Sequence, residues 1–212
     1  AGLRGQLFDR TYTSDQAAGY LTGEWADSLG LPEGIPVGIG AFDAHMGAVG
    51  CGITPYSFVR VIGTSTCDML IAPPDEIGDT VVKGICGQVS GSIIPAMIGM
   101  EAGQSAYDDV YAWFGNLLLW PTRLLAQSSV IDRDDAHKVA EELKENLLSA
   151  LSDAAGQIPV SESGLLALDW LNGRRTPDAD QMLRGAITGL SLGSDAPRIF
   201  RALVEATAFG GK

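Results

Sequence analysis

Positive charge is scarce in this sequence. Its 212 residues include 14 Lys and Arg against 26 Asp and Glu, which gives a formal net charge of -12 at pH 7. Such a balance disfavours non-specific binding to nucleic acids and to anionic membrane surfaces. We therefore expect neither as a partner, and any anionic ligand has to be held by local groups.

Cysteine is also rare, and long apolar runs are missing. Cys51, Cys67 and Cys86 are widely spaced and contain no CxxC pair, which argues against a disulfide framework or a zinc site. We interpret them as buried thiols. No apolar run reaches the length of a membrane-spanning helix, and the first residues lack the features of a signal peptide. We therefore expect a soluble, cytoplasmic protein.

The apolar content is nevertheless high enough for a substantial core, since 46% of the residues are hydrophobic. The chain has no initiating Met, and a helical pattern over residues 198–209 runs almost to its last residue. We therefore expect a piece of a longer polypeptide.

Strand-like and helix-like patterns alternate along the chain, which indicates the α/β class. Helical spacing predicts helices over residues 14–30, 102–120, 137–155 and 196–209. Short apolar runs predict strands over residues 37–42, 58–62, 69–72 and 165–170, with further strands between 80 and 100. The first helix is predicted to end at Gly30, because glycine readily adopts the left-handed conformation of a helix C-terminus.

Two carboxylates that follow apolar strands are the candidate catalytic groups. Asp43 ends the predicted strand over 37–42, and the glycines after it predict tight turns. Glu101 follows another predicted strand. A carboxylate in an apolar strand-turn is costly to bury unless it is paired or used, which favours a functional role. The alternatives are a helix N-cap or turn role for Asp43, and a cap role for Glu101.

A glycine-led turn of small hydroxyl residues separates two predicted strands. It consists of Gly63, Thr64 and Ser65, with Thr66 following. Backbone amides and hydroxyls in such a turn can form an anion-binding concavity without basic side chains, which suits an acidic chain. The alternative is an ordinary hairpin turn.

Other common site motifs fail on their spacing. Gly38 and Gly40 are followed by Asp43 where a dinucleotide fingerprint requires its third glycine. The only histidines are His45 and His137, and no G-x-S-x-G elbow accompanies them, which disfavours a Ser-His-Asp hydrolase. We interpret His45 as a packing residue or as a support for a neighbouring site residue.

Long segments of the chain resemble the C-terminal domain of the FGGY carbohydrate kinases, members of the actin, hexokinase and Hsp70 superfamily. These segments are GAFDAHMGAVG, VIGTSTCDMLI, KGICGQV, GMEAGQSAYDDVYAWFG, LDWLNGRRTP and the run from RGAITGL to EATAFG. The resemblance implies a truncated ribonuclease H-like domain with a mixed sheet flanked by helices. Residues 1–212 would be part of the kinase C-terminal domain, with 1–40 as the lead-in from an absent N-terminal domain.

The resemblance also implies roles for the candidate residues. Asp43 matches the catalytic base, and Glu101 matches an acid that contacts the sugar. The turn of residues 63–65 matches a loop that holds the β- and γ-phosphates of ATP, and Gly103 matches a glycine that lines the nucleotide cleft. The implied ligands are a small sugar and ATP with Mg²⁺. Arg174 and Arg175 belong to a family motif, and for them we favour structural pairing.

Within the family, the GMEAGQS and DWLNGRRTP segments favour L-ribulose as the sugar, phosphorylated at its terminal hydroxyl. Another pentulose or polyol is the alternative substrate, and a non-enzymatic, nucleotide-responsive protein is the alternative class. The resemblance allows a homodimer of the longer protein. Because half of the cleft would belong to the absent domain, we expect the chain alone to be inactive or nearly so.

Overall fold

The computed structural model describes residues 3–6 and 12–211, and these form two compact units. The first unit comprises Ala1–Val61, Asp68–Val82 and Gly87–Glu101, and the second comprises Ile62–Cys67, Lys83–Cys86 and Ala102–Lys212. Both contain helices and strands, as expected for the α/β class. Residues 1, 2 and 7–11 of the predicted lead-in lie outside the described residues.

Most strand residues belong to the first unit, although Ile62, Thr66, Cys67 and Ala102, at the ends of three strands, belong to the second. After a short 3-10 turn at Leu3–Gln6, the elements of the first unit are β1 (Ala17–Tyr20), α1 (Gly23–Leu29), β2 (Pro36–Gly38), α2 (Asp43–Gly50), β3 (Phe58–Ile62), β4 (Thr66–Ala72), α3 (Pro74–Ile77), β5 (Gly87–Ser90) and β6 (Ile98–Ala102). Strands β1 and β2 form an antiparallel pair. The other strands form a sheet in the order β3-β4-β6-β5, in which β5 and β6 are antiparallel.

Strand β4 lies inside this sheet and is almost wholly buried. Met69 and Ile71 supply its apolar core residues. The carboxylate of Asp68 is buried beside them and accepts two hydrogen bonds from Arg60 of β3, Nε to Oδ1 at 2.6 Å and Nη2 to Oδ2 at 2.8 Å. A buried carboxylate is strongly destabilising without a partner, so this bidentate pair is what permits Asp68 in the strand.

Helices dominate the second unit. Its elements are α4 (Asp108–Leu118), a 3-10 segment at Trp120–Gln127, α5 (Arg133–Gly156), a 3-10 turn at Val160–Glu162, β7 (Leu166–Leu168), β8 (Ala186–Thr188) and α6 (Ala196–Gly210). Strands β7 and β8 form an antiparallel pair. The N-termini of α5 and α6 are capped by Asp132 and Asp195, whose side chains accept from the backbone amides of Asp134 and Arg198.

The core of the second unit lies where α4, α5 and α6 meet. Its buried members are Ala106, Val110, Phe114, Leu151, Ala155, Phe200 and Leu203. They recur at helical spacing in each segment, so each helix turns one apolar stripe inward. This spacing is why helices 137–155 and 196–209 were predictable from the sequence, and the structure confirms both with small extensions.

The predicted helix over residues 14–30 is wrong in its first half. Residues Ala17–Tyr20 form β1, and only Gly23–Leu29 is helical. Pairing with β2 supplies hydrogen bonds that outweigh the weak local preference of this polar segment. The helix does end at Gly30, which has φ 66° as predicted. The predicted strand over 37–42 also shrinks, to Pro36–Gly38.

The glycines after Asp43 mostly do not form the predicted turns. Gly47 and Gly50 lie in α2, and only Gly52 has a positive φ, 73°. A Cβ on Gly47 would lie 3.1 Å from a methyl of Val61, so this glycine lets the helix pack closely on β3. The helix predicted from residue 102 likewise begins later, at Asp108, because Ala102 still belongs to β6.

The interpretation of all three cysteines as buried thiols is wrong. Cys67 is buried in β4, whereas Cys51 and Cys86 are exposed.

In the part of the chain that the structure describes, no helix combines the length and the apolar character needed to span a bilayer.

Two leucines on α5 provide a matched test of the core. Leu151 is 6% exposed and belongs to the core, whereas Leu143, on the same helix, is 46% exposed. We expect Leu151→Ala to lower the free energy of unfolding by about 2–5 kcal/mol, because it leaves a cavity between helices. Leu143→Ala should cost clearly less. Urea unfolding followed by circular dichroism measures both, and equal losses would contradict this description of the core.

Candidate functional site

Asp43 is the first residue of helix α2 and is exposed. The N-cap position belongs to Phe42, so the alternative role of Asp43 as an N-cap is not what the structure shows. One carboxylate oxygen, Oδ1, accepts a hydrogen bond from the amide of Ala44 at 2.8 Å. A negative charge in the first turn of a helix is favoured by the helix dipole. The start of α2 therefore presents a carboxylate at the surface of the first unit.

Glu101 lies in β6 rather than in the turn after it, and its side chain is 22% exposed. Its Oε2 is 3.0 Å from Nε2 of His45, on α2 two residues after Asp43. The His45 side chain is buried, and its ring packs edge-on against Phe42 with the centroids 5.3 Å apart. The prediction that His45 supports a neighbouring residue therefore agrees with this contact, although the sequence did not identify Glu101 as its partner.

A cavity of about 390 Å³ opens beside this pair in the first unit. It is lined by Tyr12, Thr13, Ser14, Gly40, Ala41, Phe42, His45, Gly91 and Ser92. Four of these residues carry hydroxyl groups, and Tyr12, Phe42 and His45 carry aromatic rings. Such a lining can exchange hydrogen bonds with a small polyhydroxylated molecule and pack against its carbon skeleton.

The turn of residues 63–65 is held in the second unit by the start of α4. The amides of Tyr107 and Asp108 donate to the carbonyl oxygens of Thr64 and Gly63, at 2.8 and 3.2 Å. Within the turn, the Gly63 amide donates to the carbonyl of Ser65 at 3.0 Å. Among the described residues, the amides of Thr64 and Ser65 have no acceptor. They are therefore able to donate to an anion.

Gly103 lies in the same unit, and a close backbone contact explains why it is glycine. Its φ is 153°, and a Cβ at this position would collide with the carbonyl oxygen of Thr66. Two hydrogen bonds join Thr66 to Gln104: the Gln104 amide donates to Thr66 Oγ1 at 2.8 Å, and the Thr66 amide donates to the Gln104 carbonyl at 3.1 Å. The structure thus brings Gly103 and the turn of residues 63–65 together along one backbone crossing.

Sequence reasoning missed a buried polar cluster next to this crossing. The Gln104 amide nitrogen Nε2 donates to Asp169 Oδ2 at 2.7 Å and to the carbonyl of Thr207 at 2.9 Å. Burial raises the pKa of Asp169 above its ordinary value, and the hydrogen bond from Gln104 partly opposes this shift. Burial also raises the pKa of Tyr111, whose hydroxyl lies 2.5 Å from that of Thr207. The sequence did contain a signal for this cluster, namely the carboxylate of Asp169 inside the apolar run LALDW.

Arg174 and Arg175 of the NGRRTP segment contact other parts of the chain, in line with the structural role that we favoured for them. The Arg174 guanidinium lies over the ring of Trp170, 5.4 Å from its centroid, and donates to the carbonyl of Asp178 at 3.2 Å. Nη1 of Arg175 is 3.5 Å from the carbonyl oxygen of Thr66. Both contacts fasten the loop of residues 172–180.

The described residues contain no group of three or more His, Cys, Asp or Glu side chains that could hold a metal ion. Mg²⁺ needs no such group, because it usually retains several waters and binds through one or two carboxylates together with substrate phosphates. A magnesium ion carried by nucleotide phosphates is therefore compatible with the acids present.

Solved sugar kinases share this fold. A xylulose kinase from Rhodospirillum rubrum matches with a TM-score of 0.63 and 23% identity, over 95% of this chain and 35% of that one. A ligand-bound xylulose kinase from Lactobacillus acidophilus matches with a TM-score of 0.64 and 18% identity, over 94% and 35% of the two chains. The expected fold class is therefore confirmed.

Residues 59–212 match the C-terminal domain of the FGGY family of carbohydrate kinases, and the chain belongs to that family. A ribulokinase from Vibrio parahaemolyticus is 53% identical over 211 residues, which cover 100% of this chain and 36% of the relative. A ribulokinase from Shouchella clausii is 39% identical over 99% of the chain and 34% of the relative. The chain thus spans about a third of the length of these curated relatives. The role of residues 1–40 as a lead-in stays a prediction.

Two glycines of the second unit test the backbone crossing. Gly103→Ala should destabilise the chain, because its positive φ alone costs about 1–3 kcal/mol and the added methyl collides with the backbone of Thr66. Gly63→Ala is the control, because a Cβ added at this position has no atom within 4 Å. It should change stability by no more than about 1 kcal/mol. Thermal unfolding compares them. A Gly103→Ala chain as stable as the control would show that the crossing is not as tight as described.

Proposed function

We propose that this chain is part of an ATP-dependent kinase that transfers the γ-phosphoryl group to the terminal hydroxyl of L-ribulose, giving ribulose 5-phosphate. The observation that carries the proposal is the exposed carboxylate of Asp43, whose chain neighbours Phe42 and His45 line a cavity in the first unit, in a member of a carbohydrate kinase family. The identity of 53% to a protein named ribulokinase supports the choice of sugar.

Asp43 acts as the general base in this proposal. A sugar hydroxyl is too weakly acidic to be ionised near neutral pH, so a carboxylate has to orient it and accept its proton as the new bond to phosphorus forms. The position of Asp43 suits this role, because its carboxylate is exposed at the start of α2, where a substrate hydroxyl can reach it. Glu101, half-buried in β6, accepts a hydrogen bond from the sugar or orients a neighbour that does.

The turn of residues 63–65 binds phosphate oxygens of ATP in this proposal. Its support is the pair of amides, those of Thr64 and Ser65, that have no acceptor among the described residues. Hydrogen bonds from fixed amides stabilise the charge that spreads over the transferring phosphoryl group. Mg²⁺ bound to the phosphates would neutralise part of that charge. Gly103 supports the site indirectly, because it permits the crossing that holds the turn.

Asp43→Asn tests the assigned base. In the full-length enzyme that contains this chain, we expect kcat to fall by roughly 10²- to 10⁴-fold, because Asn cannot accept the proton. The measurement is sugar-dependent ADP release over a panel of pentuloses and polyols. Asp27→Asn, at an exposed position of α1, is the control and should retain normal turnover. If Asp43→Asn stayed within a few-fold of wild type, Asp43 would not be the base.

The isolated 212-residue chain should lack significant kinase activity. It spans about a third of the length of its relatives, and the precise positioning of two substrates can supply ~7–11 kcal/mol of barrier lowering only in a complete site. The same ADP-release assay on the purified chain checks this. Turnover near that of the full-length enzyme would refute the expectation and would place the whole site within these residues.

A further inference from the structure

His45 has no role in the kinase function proposed above, but its hydrogen bond to Glu101 fixes which ring nitrogen carries the proton. Nε2 of His45 is 3.0 Å from a carboxylate oxygen of Glu101. An ionised carboxylate only accepts hydrogen bonds, so Nε2 carries the proton and donates it. In the neutral ring, the other nitrogen, Nδ1, is then an acceptor. Glu101 therefore selects the tautomer of His45, as carboxylates do for many functional histidines.

The ring of His45 lies in the wall of the cavity described above. His45 is among the residues that line the space of about 390 Å³, whereas Glu101 is not. The imidazole of His45 therefore contributes to the cavity wall, and its Nε2 is the nitrogen bonded to Glu101. Within the described part of the chain, Nδ1 has no hydrogen-bond partner. Phe42 packs edge-on against the ring and limits its rotation.

The rest of the cavity wall supports a hydroxyl as the group that meets His45. Tyr12, Thr13, Ser14 and Ser92 carry hydroxyls and line the same space, although the hydroxyls of Thr13 and Ser92 already donate to Asp15 and to the carbonyl of Val89. Hydroxyl side chains both donate and accept, so they adapt to many polar ligands and discriminate weakly. A fixed acceptor such as Nδ1 requires a donor at one position. It is therefore the group in this wall best suited to reject a sugar that lacks one hydroxyl.

We propose that His45 is a substrate-binding and specificity-determining residue, whose Nδ1 accepts a hydrogen bond from one hydroxyl of the sugar, and that Glu101 is the positioning residue that holds the imidazole in this tautomer. The inference rests on the proposed kinase function. Asp43 is assigned to the hydroxyl that is phosphorylated. His45 would therefore contact a different hydroxyl of the sugar.

The test combines enzyme variants with substrate analogues in the full-length enzyme. His45→Gln keeps an amide that can reach Glu101 but removes the acceptor at the Nδ1 position. We expect it to lower kcat/KM for L-ribulose by roughly 10-fold, the loss of one well-placed hydrogen bond, and to leave the KM for ATP unchanged. His45→Asn, which retains an acceptor near the Nδ1 position, should lose less. His137→Gln, at the other and exposed histidine, is the matched control.

The analogues identify the contacted hydroxyl. L-ribulose derivatives that each lack one hydroxyl, other than the one phosphorylated, are assayed with wild type and with His45→Gln. One derivative should be a roughly 10-fold poorer substrate for wild type, and that penalty should vanish in His45→Gln. The comparison uses ratios between substrates within one enzyme, so partial misfolding of the variant does not alter it.

The possible failures are separable. If wild type phosphorylates L-ribulose but every analogue is penalised equally in wild type and in His45→Gln, then His45 is structural and the inference is overturned while the kinase function stands. A His45→Gln variant with lower thermal stability and a raised KM for ATP would support the same conclusion. If wild type phosphorylates no sugar of the panel, both the kinase function and the role of His45 are overturned.

Discussion

The second unit depends on one backbone crossing, where Thr66 meets Gly103 and Gln104. The contact is so close that only glycine fits at position 103. Two hydrogen bonds between Thr66 and Gln104 fasten it, and the first amides of α4 then reach the carbonyls of the turn at residues 63–65. The conformation of that turn is thus set by a segment about forty residues away in the chain.

Buried polar groups in both units follow a common rule. Asp68 is paired with Arg60, His45 with Glu101, and Asp169 with Gln104. Each pairing offsets the cost of removing a polar or charged group from water. The pairs differ in what surrounds them, because His45 lines a cavity of about 390 Å³ together with four hydroxyl residues, whereas Asp169 lines one of about 230 Å³ with mainly apolar residues. The same physical requirement therefore produces a structural pair in the sheet and a candidate recognition pair beside the cavity.

Prediction from sequence succeeded where the pattern was long and local. Helices α5 and α6 have enough turns for an apolar stripe to stand out, and β3 was predicted at its observed bounds. Prediction failed for short segments whose sequence is compatible with a helix, a strand or a turn. Residues 17–20 form a strand through pairing with β2, although alanine favours helices, and the glycines within residues 43–50 lie in a helix that packs on β3. Asp43 was expected at the end of a strand, whereas it is the first residue of helix α2, and its catalytic role stays a prediction.

The sequence by itself determined the α/β class, the membership of a carbohydrate kinase family and the identity of the candidate acids, because these depend on composition and on long matching segments. Only the tertiary structure decided which polar groups are partners. His45 and Glu101 are 56 residues apart in the chain, and Gln104 and Asp169 are 65 apart. No local pattern encodes such pairs, because they form only when separate elements pack together and their polar groups lose contact with water.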